Sequence, residues 1–278
     1  MNPKVVAHQS AFMLKQRGAL FSFYILLAIV LLNFTTNVFE FQGLDLVEMY
    51  HPAKMLSISY NQAYYSANTA LLLIQLYPVL VVCPAGFILI SEKSRKENLI
   101  LISRVGRSSY YFNSLFSAFF VTFIVFTVPF FIELLLNCIS FPLEATGDFF
   151  DRSQYDSVYI SMTKSYFMAG LYNFNPYLYA IVGILFWGLF SGVLGMFTVA
   201  ISAVFYIPYK VILFLPVFIA LNATLYIPAD LPFTLRWYNY VFLFDDSSKL
   251  NRLIICFMLI LFVISFICVW FKSKADQL

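Results

Sequence analysis

Hydrophobic residues make up 62% of this 278-residue chain and charged residues only 11%, with a mean hydropathy of +0.83. Soluble domains run nearer about 45–50% and about 25%, so a soluble fold of this size could not hide so much apolar surface. The composition excludes a soluble enzyme, a disordered chain and a disulfide-stapled secreted domain, and leaves an all-α, polytopic membrane protein forming one transmembrane domain over residues 1–278.

A crossing needs about 20 mostly apolar residues, and six segments qualify: 19–39, 69–90, 110–138, 177–205, 209–227 and 253–271. The first is too long for a signal-peptide core and lacks a small-x-small cleavage site before Glu40, so it is expected to remain as an anchor. The third carries Pro129 and the fifth Pro216, which a membrane helix tolerates when neighbouring helices satisfy the freed carbonyl. Between the fourth and fifth, Ile207-Pro208 reads as a tight helix–helix turn. Cys83, Cys138, Cys256 and Cys268 all sit in or beside apolar runs without a CxxC pair, and read as buried hydrophobes rather than metal ligands.

Orientation follows from the basic residues. With the N-terminus inside, eleven of the 17 fall on the inner side (Lys4, Lys15, Arg17, Lys93, Arg95, Lys96, Arg104, Arg107, Lys210, Lys272 and Lys274) and six on the outer. Basic residues decide topology and acids count for little, so both termini are expected in the cytoplasm of a multi-pass cell-membrane protein.

Within the spans Glu133 is the only acid. It lies roughly 34 Å along a helix beginning at Tyr110, which places it near the outer interface. It reads either as an interfacial carboxylate or as part of a substrate path. Ion-coupled transporters put carboxylates or histidines at mid-membrane, and none stands there. A Gly-x-x-x-x-Gly-Lys-Ser/Thr phosphate loop, a His-Glu-x-x-His and a Gly-x-Ser-x-Gly are all missing from the sequence. Asp245-Asp246 reads as a solvated loop rather than a magnesium site. No catalytic, cofactor-binding or metal-ligating set emerges, so the chain is not expected to be an enzyme or to bind nucleic acid.

The segment 91–110 is the most informative. A mixed-charge cluster with Glu92 and Glu97 is followed by the aliphatic run 99–102, including Leu99 and Leu101, then by Arg104 and Arg107, then by Tyr110 and further aromatics. Its net charge is +3. Charged, then apolar, then charged residues suit a short helix on the membrane surface. Headgroup attraction accounts for the basic residues, but not for the two acids or the aliphatic run.

In that order of residues the chain resembles a permease subunit of a type-2 ATP-binding-cassette exporter. The resemblance implies six transmembrane helices, a cytoplasmic amphipathic coupling helix within 91–110, and a helix over about 5–17 lying along the inner surface. It also implies re-entrant outer turns before the last span, where Pro228 and Pro232 precede Trp237 and Tyr238. The implied partner is a cytoplasmic ATP-binding-cassette ATPase that holds ATP and Mg²⁺, docks on Glu92, Glu97, Leu99, Leu101, Arg104, Arg107 and Tyr110, and transmits its closure there. The resemblance implies no cofactor on this chain itself. The family's Gly-Thr pair after the acid and its Lys at the start of the third span are not matched; Asn98 and Asn113 stand near those places.

In the fourth span, Gly188 and Gly192, with Ser191 and Gly195 at the same spacing, let helices approach closely. They serve packing within the chain or a dimer seam with a second copy or a sister permease. The outer loop 139–176, with Asp148, Asp151, Asp156 and many aromatics, is too apolar for a plain linker; such aromatics are commonly headgroup anchors among the membrane lipids. Two functions are expected from these features. The first is an exporter subunit moving an amphipathic peptide, drug or lipid. The second is a non-transporting scaffold or sensor binding a ligand through its outer loops.

Overall fold

A computed structural model describes residues 3–41, 51–59, 67–94, 101–103, 105–143, 168–205, 209–222, 237–244 and 251–275. Glu97, Leu99, Arg104, the Ile207-Pro208 link, Pro228, Pro232, Asp245-Asp246 and the acidic part of the 139–176 loop lie outside the described residues. The helices are α1 (Pro3–Leu14), α2 (Arg17–Phe41), α3 (Ala67–Leu80), α4 (Ile88–Ser94), α5 (Arg107–Ser140), α6 (Ala169–Phe174), α7 (Pro176–Val204), α8 (Phe214–Asn222), α9 (Tyr238–Val241) and α10 (Asn251–Ala275). Short 3₁₀ turns occupy Pro52–Met55 and Lys210–Leu213. Among the described residues there is no strand, only an isolated parallel bridge between Ser59 and Leu243.

The chain is an all-α membrane protein: α2, α5, α7 and residues Ile254–Ala275 of α10 are long and apolar enough to cross a bilayer. Helices suit that medium because every interior backbone group is paired within its own segment. The other two expected spans differ from expectation. The segment 69–90 is regular only as far as Leu80, then passes through turns over 81–87 before α4 resumes. Pro84 supplies the reason, because it has no N–H to give the carbonyl of Leu80; the hydroxyl of Ser22 donates to that carbonyl instead, at 2.8 Å. The fifth segment opens as a 3₁₀ turn at Lys210–Leu213 and is helical over Phe214–Asn222, where the described residues of that stretch stop. By contrast, α5 runs unbroken through Pro129 for 34 residues.

Side-chain contacts give the direction of each element. Ser117 on α5 donates to the carbonyl of Val6 on α1, so α5 starts beside the N-terminus. It ends where Asn33, well along α2, meets Glu133. α3 runs back, with Thr69 near Asn33 and Leu80 near Ser22. α7 descends antiparallel to α5: Gly188 lies against Phe123 and Thr127, and Gly192 against Phe119. Lys210 and Phe214 return to the N-terminal end beside Phe87. On α10, Phe257 packs near Phe190 and Phe266 near Phe112, so this helix descends as well.

α7 is the central element, packed on α5 and α10, and residues 190–196 along it are all buried. Around it Tyr77, Phe126, Trp187, Phe190, Trp237 and Phe242 form one aromatic cluster, with Tyr77 and Trp237 stacked at 4.6 Å. Such pairs favour offset or edge-on geometry and add to simple burial. The outward faces are apolar too; Leu259, Ile260 and Val263 on α10 are each half exposed or more, as a helix surface against lipid should be.

Candidate functional site

The end of the bundle remote from the N-terminus is closed by two segments that turn inward. Residues 51–59 are all buried, although they include His51, Lys54, Ser57 and Ser59. Trp237, Val241 and residues 242–244 are buried beside them. The N–H of Leu243 donates to the carbonyl of Ile58 at 2.8 Å, which ties the two segments together.

Glu133 holds the first of these segments in place. One oxygen, Oε1, accepts from the N–H of Ser57 at 2.9 Å, from the Ser57 hydroxyl at 2.5 Å and from Nδ2 of Asn33 at 2.8 Å. Asn33 Nδ2 also donates to the carbonyl of Met55, and so does Nδ2 of Asn37. Thr69 completes the set by donating its hydroxyl to Asn33 Oδ1 at 2.8 Å. A buried polar group costs little only when it is hydrogen-bonded, and the irregular backbone of 51–59 is accommodated because α2 and α5 present partners to it. Glu133 Oε2, Asn137 Oδ1 and Ser59 Oγ are buried without a hydrogen-bond partner among the described residues.

The same buried segment carries two basic side chains. His51 caps the 3₁₀ turn by accepting the N–H of Ala53 at its Nδ1, at 3.1 Å, and its ring lies 4.6 Å from that of Tyr177. Burial, and then the positive charge of Lys54, push its imidazole down from 6.5 to about 4, which keeps Nδ1 available as an acceptor. The ammonium of Lys54 stands over the ring of Phe244 at 5.1 Å, a cation–π contact strengthened by its near-complete burial. Phe244 has a positive φ of 61°, rare for an aromatic residue, and its N–H is taken by the hydroxyl of Tyr179. Burial also pushes the nearby Tyr172 phenol up to about 12.

Glu133 lies about 10 Å of helix rise from the end of α5, yet it is wholly enclosed by protein, so a headgroup-level carboxylate open to water does not describe it. Asn33, Asn37 and Ser57 were not singled out by sequence reasoning. One signal was present: two asparagines spaced i, i+4 fall on one face of an apolar helix.

At the opposite end, the hydroxyl of Tyr110 donates to Oε2 of Glu92, and both residues are buried. The two ends of segment 91–110 are thereby joined. Residues 101–103 are helical, with Leu101 and Ile102 packed on the core, and Arg107 is exposed at the start of α5. A cavity of about 230 Å³ between α1 and this segment is lined by Val5, His8, Gln9, Leu101, Val105 and Tyr110.

The small residues of α7 face α5. A Cβ at Gly188 would stand 2.2 Å from Thr127 Oγ1, at Gly192 2.8 Å from the Phe119 ring, and at Gly195 2.4 Å from Thr122 Oγ1. Ser191 shares a 2.9 Å hydrogen bond with the hydroxyl of Tyr77 on α3. These positions are therefore occupied by helices of the same chain. Among the described residues no group of three His, Cys, Asp or Glu side chains could hold a metal ion.

No protein-family model, curated protein or solved structure matches this chain.

Proposed function

We propose that the chain is the membrane-spanning subunit of an ATP-driven exporter, working with a separate cytoplasmic ATP-binding-cassette ATPase and moving an amphipathic peptide, drug or lipid. On this reading the chain crosses the cell membrane six times with both termini in the cytoplasm, 67–94 serving as a broken second crossing and the segment from Tyr209 as a fifth. The directions support it: α2, α3, α5 and α7 alternate, and α10 descends like α7, which leaves one ascending crossing for the segment from Tyr209. A second copy or a sister permease would complete the pathway.

The observation that carries the proposal is the Tyr110–Glu92 hydrogen bond. It fastens both ends of the 91–110 segment to α5, the longest helix, whose other end holds Glu133 and through it residues 51–59. A push on 91–110 by a closing ATPase would act on a lever that reaches across the bundle. Tyr110→Phe keeps the ring and deletes the bond, so transport should fall severalfold while the chain still assembles.

Isolation of the tagged chain in mild detergent from its own host, followed by mass spectrometry, tests the proposal. Recovery of an ATP-binding-cassette ATPase in near-equal amount supports it. Reproducible isolation of intact chain without one overturns it in favour of a scaffold or sensor, a reading favoured by the inward-folded 51–59 segment.

A further inference from the structure

The N-terminal end of the bundle carries a second feature that the exporter reading does not use. A cavity of about 900 Å³ is lined by Phe12, Lys15, Arg17, Phe21, Phe87 and Lys210 among others. Its basic groups come from separate places: Lys15 and Arg17 flank the break between α1 and α2, and Lys210 opens a 3₁₀ turn far along the chain. The one acid among its described lining residues, Glu92, is buried and bonded by Tyr110.

The walls are firm. A Cβ on Gly18 would stand 2.3 Å from the carbonyl oxygen of Cys83, and one on Gly86 2.8 Å from Leu213, so the start of α2 and the 210–213 turn both press on the 81–87 segment. Beside the basic groups the lining is apolar: Phe12 and Phe21 are each 52% exposed, and Phe87 lies beneath the ammonium of Lys210 at 5.8 Å. Three cations beside exposed rings, at the N-terminal end of the apolar helix α2, match a ligand that is anionic at one end and hydrocarbon at the other.

We propose that this cavity is a binding site for one anionic phospholipid, its phosphate held by Lys15, Arg17 and Lys210 and its acyl chains against Phe12 and Phe21. Long basic side chains at a membrane boundary extend toward the headgroup level, and each near an anionic headgroup adds to lipid attraction. The volume lies within the usual range for small-molecule sites. This site stands whether or not the chain transports anything.

Native mass spectrometry of the detergent-purified chain, with phosphatidylglycerol or phosphatidylcholine of matched acyl chains, tests it. Phosphatidylglycerol should be retained about tenfold better. The triple variant K15Q/R17Q/K210Q should bring that ratio close to one. K272Q/K274Q removes two basic residues from the end of α10 and should leave the ratio unchanged. Equal retention of the two lipids by the unaltered chain overturns the proposal. An equal loss in both variants overturns it too, because general charge would then explain the preference. Thermal stabilisation of the unaltered chain by inorganic phosphate as large as that by phosphatidylglycerol would overturn the lipid assignment in favour of a free anion.

Discussion

Glu133 accepts three hydrogen bonds on one oxygen, and each partner would be left buried without it. An orphaned buried donor costs more than the net worth of the bond it lost. Glu133→Ala should therefore destabilise the purified chain by about 2–3 kcal/mol, read as a lower thermal midpoint in detergent. Glu133→Gln keeps an acceptor at the same place and should cost about 1 kcal/mol; equal losses in the two variants would show that the hydrogen bonds are not what matters. His51 adds a pH dependence. Its imidazole is held at about 4 in the fold against 6.5 when free. Between those values the unfolded chain binds the extra proton, so stability is full above about pH 6.5, declines as pH falls toward about 4, and levels off below. His51→Gln should flatten that decline. As the only acid within the expected spans, Glu133 stood out in the sequence; its partners on 51–59 did not, because hydrogen bonds across more than seventy residues leave no local trace.

Helix contacts depend on shape more than on composition. Gly188, Gly192 and Gly195 were visible as a small-residue stripe, but the stripe alone fits a neighbour in the same chain as well as one in another. The structure puts Phe119, Thr122 and Phe123 of α5 against it. Gly192→Leu should push α7 from α5 and cost about 2 kcal/mol or more, whereas Gly170→Ala, with open space around it, should stay within about 0.5 kcal/mol. Matching losses in those two variants would discount the α5 contact. The broken second segment follows a similar logic. Pro84 frees the carbonyl of Leu80, yet other helices carry proline without breaking, as Pro129 shows. Ser22 supplies the missing bond, so Ser22→Ala should lower stability by about 1 kcal/mol, and an unchanged thermal midpoint would mean another group takes that carbonyl.

For the molecule as a whole, α1 and the last turns of α10 both lie at the start of α5, through Val6 against Ser117 and Phe266 against Phe112. Tags at the two termini should thus become accessible to an impermeant reagent from the same side of the membrane; opposite accessibility would contradict this arrangement. Some of this was determined by sequence alone. Apolar content, length of run and scarcity of charge established a helical membrane protein, since backbone pairing within a lipid-exposed segment is a local matter. The four longest helices were legible for the same reason. Tertiary structure decided what distant segments do for one another. Only packing buried 51–59, Trp237 and 241–244 within the bundle, gave Glu133 its partners, turned the glycines of α7 toward α5 and gathered Lys15, Arg17 and Lys210 around one cavity. Each of these depends on which faces meet, and a linear pattern of apolar residues leaves that choice open when every face of a membrane helix is apolar.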